Sequence, residues 1–375
     1  MAESTYPTMT GAVGVSDVGV FIPELWSDEV LASYKQNLVL ADLVTRMDHK
    51  GRKGDTIHIP APYRGGTNKK VENTAVTIQN ATEEEVTISI DQHWEYSRII
   101  EDFASVQALG SLRQHYTADA GYQMSRTIDQ FIAAHWHFFN AGAATPAAAT
   151  AWETGVIGSD GSTTFDHTAN TNTGNGAALA DAGIREVIQT LDDNDVPMNG
   201  RVLVIPPVER KNLMGIARFT EQAFVGEAGA GNTIRNGMIG DVYGIPVYVS
   251  TAVPWIHVND QTGTATTTFT STSPTGATNE DDIFGGANQF GFADFTVDWN
   301  TSSPNDTKYR ACAMFHKSAL AFVEQLGVRA QSQYKQEYLG TLMTVDCVFG
   351  GKGLRTGASS SGETDTAGIS IIVPA

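Results

Sequence analysis

Two short segments hold side chains that could bind a metal ion, but neither has suitable spacing. His135-Trp-His137 falls in a predicted helix, where residues two apart point to nearly opposite sides. Asp192-Asp-Asn-Asp195 lacks the glycine and the closing glutamate of a calcium-binding loop. We therefore interpret the first segment as an ordinary helix end and the second as a solvated helix C-terminus.

Glycine and cysteine patterns do not indicate a catalytic site either. Gly351-Lys-Gly353 lacks the Ser or Thr of a phosphate-binding loop, and the glycines of 226–231 do not follow a predicted strand. Cys312 and Cys347 form no CxxC pair and are interpreted as buried small side chains. We predict no catalytic residue, no cofactor and no metal, and hence a protein that is not an enzyme.

The strongest local signal is a concentration of positive charge. Residues 50–70 contain six basic side chains and one acid, a net charge of +5, whereas the whole chain has −18. The candidate contact residues are Arg52, Lys53, Arg64, Lys69 and Lys70. One interpretation is a solvated loop. The other, which we favour, is an arm that docks on an acidic surface of a second copy, because complementary charge guides association.

Length and composition limit the class of protein. The chain has 375 residues, 41% of them hydrophobic, which is enough for two or three domains with a substantial core. Its acidic balance argues against general or sequence-specific binding of nucleic acid. The first residues lack the pattern of a signal peptide, and no apolar run is long enough to span a membrane. We expect a soluble protein made in the cytoplasm.

The elements that position the basic segment form an extended hairpin. An arm over residues 1–22 and a helix from Pro23 to Thr45 precede it. A short strand over 56–59 and the alternating apolar residues Val86, Ile88 and Ile90 predict two strands that frame a long polar tip. Apolar residues spaced by three or four then predict a long helix from about Phe103 to Phe139.

The rest of the chain indicates a mixed α/β domain. Residues 178–193 and 208–219 are predicted helices on either side of a buried strand at 201–206. Residues 242–250, 309–323 and 342–349 are predicted to be β structure, the last being the final strand. We expect loops at 141–178 and 260–280, and a mobile segment at 356–368.

The order of these elements resembles that of the major capsid proteins of tailed bacteriophages, which have the Hong Kong 97-type (HK97-like) fold. The residues that carry the resemblance are Gly54–Pro60, Tyr243–Ser250 and the strand pair Ala311–Val323, together with the long helix. Length and arm are most similar to those of podovirus capsid proteins. The implied fold class is α+β, with an N-terminal arm, an extended β-hairpin loop, a long spine helix in a peripheral domain and a mixed α/β axial domain.

The resemblance implies a division of the chain and a set of partners. The implied parts are the arm and helix (1–48), the hairpin loop (49–100), the peripheral domain (101–178), the axial domain (179–305), the peripheral return strands (306–355) and a C-terminal tail (356–375). The implied function is an icosahedral shell of pentamers and hexamers enclosing double-stranded DNA, assembled in the host cytoplasm. The implied partners are a separate scaffolding protein, a portal protein and, in some relatives, a cement protein.

Two other functions stay open at this point. An encapsulin-like cellular nanocompartment has the same fold and would contain a cargo enzyme in place of DNA. A soluble enzyme with an unrecognised site, in the 141–178 segment for example, would form a small oligomer with turnover. Particle size and particle contents distinguish these readings.

Overall fold

A computed structural model describes most of the chain between residues 39 and 374. The described residues are 39–49, 54–61, 67–76, 78, 84–102, 112–139, 152, 154–165, 177–216, 241–259, 264–268, 307–355 and 366–374. The predicted arm, most of the predicted first helix, and the glycines of 226–231 lie outside these ranges.

The described residues form three α-helices and fourteen β-strands. The helices are α1 (Leu112–Ala134), α2 (Asp181–Asp193) and α3 (Pro207–Met214). The first seven strands are β1 (Thr45–Asp48), β2 (Thr56–Ala61), β3 (Glu84–Ser89), β4 (Gln92–Glu101), β5 (Val156–Ile157), β6 (Arg201–Ile205) and β7 (Asp241–Val242). The others are β8 (Ile245–Val249), β9 (Trp255–Asn259), β10 (Thr264–Thr268), β11 (Thr307–His316), β12 (Leu320–Lys335), β13 (Gly340–Gly353) and β14 (Gly368–Pro374).

A four-stranded sheet with the order β1-β12-β13-β4 is covered on one face by the long helix α1. The apolar stripe of α1 supplies Ala120, Met124 and Ile132 to the same cluster as Phe322 and Phe349 of the sheet. The Phe131 and Phe349 rings meet edge to face with centroids 5.1 Å apart. The predicted helical stripe is therefore confirmed in the described part of the helix, which continues as a 3-10 helix over His135–Phe138.

An eight-stranded sheet forms the second body of β structure. Its path is β10-β9-β11-β6-β8-β7, and β14 joins it by pairing with β11 on one side and with β5 on the other. Helices α2 and α3 pack on this sheet through Ile184, Leu191 and Leu213, which lie in one cluster with Leu203 of β6. The predicted helix over 178–193 and the predicted buried strand over 201–206 are both confirmed.

Four segment predictions were wrong. The first helix does not continue to Thr45, because a 3-10 turn at Leu40–Asp42 is followed by β1, which pairs in parallel with β12. The segment after residue 356 is not all tail, because β14 is buried from Gly368 to Val373. The 260–280 segment contains β10, and the 141–178 segment contains β5 together with the fully buried Trp152.

Two of the predicted domain ranges contain strands that pair elsewhere. The range 49–100 includes most of β4, which pairs with β13 along its length in the four-stranded sheet. The range 306–355 begins with β11, which pairs with β6, β9 and β14 in the eight-stranded sheet. The six-part division of the chain stays a prediction. Within the described ranges, no helix is both long enough and apolar enough to cross a membrane.

Candidate functional site

The basic hairpin is present, and the structure describes two of its five candidate contact residues. Strands β2 and β3 pair antiparallel from Thr56–Ser89 to Ala61–Glu84, as the sequence predicted. Lys69 and Lys70 lie in the tip and are exposed. Arg52, Lys53 and Arg64 lie outside the described residues.

The two described lysines of the tip differ in their bonding. Lys70 Nζ donates hydrogen bonds to the backbone carbonyls of Val71 and Thr74, so this side chain closes a turn of its own tip. Lys69 extends from the same turn and is exposed. Lys69 is therefore the better of the two for contact with another molecule, because its charge is not used to stabilise the tip.

The base of the hairpin is held against the face of the four-stranded sheet opposite α1. Ile88 and Ile90 are buried there in one cluster with Ala321 and Val323 of β12. The contact is close because residue 350 of β13 is glycine, where a Cβ would lie 2.2 Å from the carbonyl oxygen of Ser89. A side chain at that position would push the hairpin away from the sheet.

Hydrogen bonds fix the hairpin base in addition to this packing. Lys352 Nζ donates to the Thr87 carbonyl at 3.0 Å, and Gln325 Nε2 donates to the Gly54 carbonyl at 2.9 Å. The Ile90 amide donates to the Asp55 carbonyl at 2.8 Å. The base therefore has a fixed orientation. The tip, in contrast, exposes Val71, Val76 and Ile78 by 60%, 69% and 85%.

A buried carboxylate joins the segment before β1 to the long helix. Asp129 of α1 accepts hydrogen bonds from the amides of Val39 and Leu40 on Oδ2, at 2.9 and 3.3 Å, and from Ala41 on Oδ1, at 3.2 Å. Burial raises the Asp129 pKa to about 6, although the three amide bonds act in the opposite direction. This carboxylate orders the last residues of the N-terminal arm, and the sequence analysis missed it.

The end of the four-stranded sheet far from the hairpin base is bare. Its exposed large apolar residues are Ile99 of β4, Val328 and Tyr334 of β12, and Tyr338 and Leu339 in the turn between β12 and β13. Three exposed acids, Glu101, Asp102 and Glu337, lie at the same end. The sequence analysis did not single out this surface, because only the fold brings β4 next to the turn.

Most of the segments considered for metal binding have structural roles. His135 and His137 contact the carbonyls of Phe131 and Ala134 in the last turns of the helix. Asp192 forms an ion pair with the buried Arg201 at 2.6 Å. The described residues contain no group of three or more His, Cys, Asp or Glu side chains arranged to hold a metal ion.

Comparison with solved structures identifies the fold. The structure described as the capsid of cyanophage P-SCSP1u matches with a TM-score of 0.61 at 18% identity, covering 99% of both chains. The acid-stable capsid of Helicobacter pylori bacteriophage KHP30 matches with a TM-score of 0.63 at 12% identity, covering 96% of this chain and 98% of the other. A structure from Mycobacterium phage Che8 matches with a TM-score of 0.60 at 21% identity, covering 94% and 97%.

These matches establish the HK97-like fold, a mixed helix and sheet architecture, as the resemblance implied. The class of protein that this fold and the projecting hairpin define is a shell subunit. A profile described as "Phage capsid protein" matches residues 84–304, more than half of the chain. The chain therefore belongs to the phage capsid protein family and is a structural subunit of a phage capsid. No curated protein sequence matches it significantly.

Proposed function

We propose that this capsid subunit assembles as pentamers and hexamers into a closed icosahedral shell around double-stranded DNA. The family match over residues 84–304 carries the proposal. Closed assemblies of one chain need complementary patches that repeat from copy to copy. We further propose that assembly takes place in the host cytoplasm with a separate scaffolding protein and a portal protein, and involves no catalysis by this chain.

Electron microscopy of the expressed full chain tests this function. The chain, alone or together with a candidate scaffolding protein, should form closed particles of megadalton mass. A small soluble oligomer under every assembly condition would overturn the proposal. Particles purified from infected cells should contain DNA, whereas particles filled with a cargo enzyme would favour a cellular nanocompartment.

We also propose that the basic hairpin, with Arg52, Lys53, Arg64, Lys69 and Lys70 as contact candidates, docks on an acidic surface of a neighbouring copy. Its rigid base and exposed tip support this, because a two-stranded hairpin has little stability of its own beyond its anchor. The cluster of positive charge in a chain of net charge −18 supports it too.

Charge reversal tests the docking. Arg64→Glu with Lys69→Glu should leave the free subunit folded, because exposed charges change stability by less than about 0.5 kcal/mol. Assembly at low salt should fail, because like charges at an interface are costly, and about 1 M salt should partly restore it. Lys70 is left unchanged because it closes its own turn. Lys211→Glu, an exposed reversal on α3, is the matched control and should assemble. Normal assembly of the hairpin variant at low salt would contradict the docking.

A further inference from the structure

The turn between β12 and β13 places a leucine in an unfavourable backbone conformation. Leu339 has φ of +45°, in the left-handed region that glycine and asparagine adopt far more readily than leucine. The turn is closed by hydrogen bonds from the Tyr338 amide to the Lys335 carbonyl and from the Leu339 amide to the Gln336 carbonyl. The conformation is therefore fixed by the turn, which a glycine would form with less strain.

The leucine side chain gains little within the subunit. Leu339 is 66% exposed, and its neighbour Tyr338 is 65% exposed. A strained residue whose side chain stays in solvent suggests a function outside the isolated fold, because strained positions persist where another interaction needs them. Together with Ile99 and Tyr334, these residues form an apolar patch at the bare end of the four-stranded sheet.

The rim of this patch is acidic. The Asp102 amide donates to the Leu339 carbonyl at 3.0 Å, and Tyr334 Oη donates to Asp102 Oδ2 at 2.8 Å. Glu101 lies opposite Gly340 in the sheet, and Glu337 lies in the turn itself. We call the apolar residues Ile99, Tyr334, Tyr338 and Leu339, with the acids Glu101, Asp102 and Glu337, the distal surface.

The hairpin tip has the complementary properties. It exposes three aliphatic side chains, Val71, Val76 and Ile78, next to Lys69, and it continues the basic segment 50–70. The base of the hairpin is fixed to the sheet near Val323, and the tip and the distal surface are both exposed in the same subunit. Each surface is thus bare in the isolated chain and matches the other in charge and in apolar character.

We propose that the distal surface binds the hairpin tip of a second copy of this chain. This inference rests on the proposed function, because it supplies the acidic surface on which the hairpin docks. The contact joins different surfaces of two copies, so it can repeat from one copy to the next and close around a shell axis. The aliphatic side chains of the tip cover Tyr338 and Leu339, and Lys69 lies by the acids of the rim.

Replacement of Leu339 by glycine separates assembly from folding. Leu339→Gly removes the side chain and relieves the left-handed backbone, so the free subunit should be at least as stable as the wild type. The concentration needed for assembly should rise about 10- to 100-fold, which corresponds to the loss of one buried leucine side chain at each contact. Asp195→Gly is the matched control, because exposed Asp195 also has a positive φ, +55°, and lies on the other sheet's helix α2 side.

A charge exchange tests the identity of the partner surface. Glu337→Lys alone and Lys69→Glu alone should each weaken assembly at low salt, since each places like charges together. The double variant should restore assembly, because the pair is then opposite in sign again. Assembly is measured by light scattering and electron microscopy, and folding of each free subunit by urea unfolding.

The outcomes separate this inference from the proposed function. A wild-type chain that forms no shells would overturn the function itself. Shells from Leu339→Gly at the wild-type concentration would overturn the distal contact while leaving the function intact. Loss of assembly in both charge variants without rescue in the double variant would overturn the pairing with the hairpin tip. An equal defect in Asp195→Gly would show that glycine at any such turn impairs assembly, and would overturn the role of Leu339.

Discussion

The two ends of the four-stranded sheet differ in what covers them. At the end near Val323, helix α1 packs on one face and the hairpin base on the other, so Phe322, Val323 and Phe349 are almost fully buried. At the other end, Tyr338 and Leu339 remain about two-thirds exposed. The covered end stabilises the isolated subunit. The bare end gains stability only when another copy covers it, which is the division of roles that a shell subunit requires.

The largest effect should come from the covered end. Ile132 of α1 is 4% exposed and lies in the cluster with Phe322 and Phe349. Ile132→Ala should lower the free energy of unfolding by about 2–5 kcal/mol, because it removes buried methyl groups and leaves a cavity. Urea unfolding of the free subunit measures this. Ser125→Ala, an exposed change on the same helix, should have almost no effect, and a wild-type midpoint for Ile132→Ala would show that α1 does not stabilise the sheet.

Much of this covered end was predictable from local sequence patterns. The three-to-four spacing of Ala120, Met124 and Ile132 indicated the buried face of α1, and the alternation of Val86, Ile88 and Ile90 indicated β3. Both patterns reflect one element facing one core, which a short window of sequence contains. The hairpin and its basic character followed from the same kind of local pattern.

The features that the sequence did not reveal depend on partners far along the chain. Strand β1 has only four residues and pairs with residues 321–324, so its local helical spacing was misleading. Strand β14 is an apolar run, but the Gly/Ser-rich residues before it indicated a tail, and its partner β11 begins at Thr307. The distal surface needs the turn, β4 and the positive φ of Leu339 together, and a backbone angle cannot be read from residue types.

The tether to the arm should produce a pH dependence. The Asp129 pKa is about 6 in the folded chain against 3.8 ordinarily, through burial and the nearby Asp42, so folding takes up a proton between these values. The contribution of Asp129 to the free energy of unfolding should therefore fall as the pH rises across this window, by up to about 3 kcal/mol. Asp129→Asn cannot titrate. Unfolding of both proteins at pH 4.5 and 7 should show the wild type losing stability relative to this variant, and a constant or opposite difference would contradict the assignment.

The hairpin base should respond to a single methyl group. Gly350→Ala places a Cβ 2.2 Å from the Ser89 carbonyl oxygen, so backbone must move, at a cost of about 1–3 kcal/mol. Hydrogen exchange at the Ile90 amide, which bonds to the Asp55 carbonyl, should become faster than in the wild type. The matched control is Gly121→Ala in α1, where nothing lies within 4 Å and the added methyl should stabilise the helix by about 1 kcal/mol. Unchanged exchange at Ile90 would mean that the base is not held at Gly350.

The smallest effect on the free subunit should come from the bare end. Tyr338→Ser removes a side chain that is 65% exposed, so the free energy of unfolding should change by less than about 0.5 kcal/mol. Tyr309→Ser is the buried counterpart: Tyr309 is 4% exposed and its ring meets Phe165 edge to face with centroids 5.3 Å apart. That change should cost about 3 kcal/mol or more. Urea unfolding of both variants measures the contrast. If Tyr338→Ser destabilised the free subunit as much as Tyr309→Ser, the turn would be part of the core of the fold, and the two ends of the sheet would not divide stability and assembly between them.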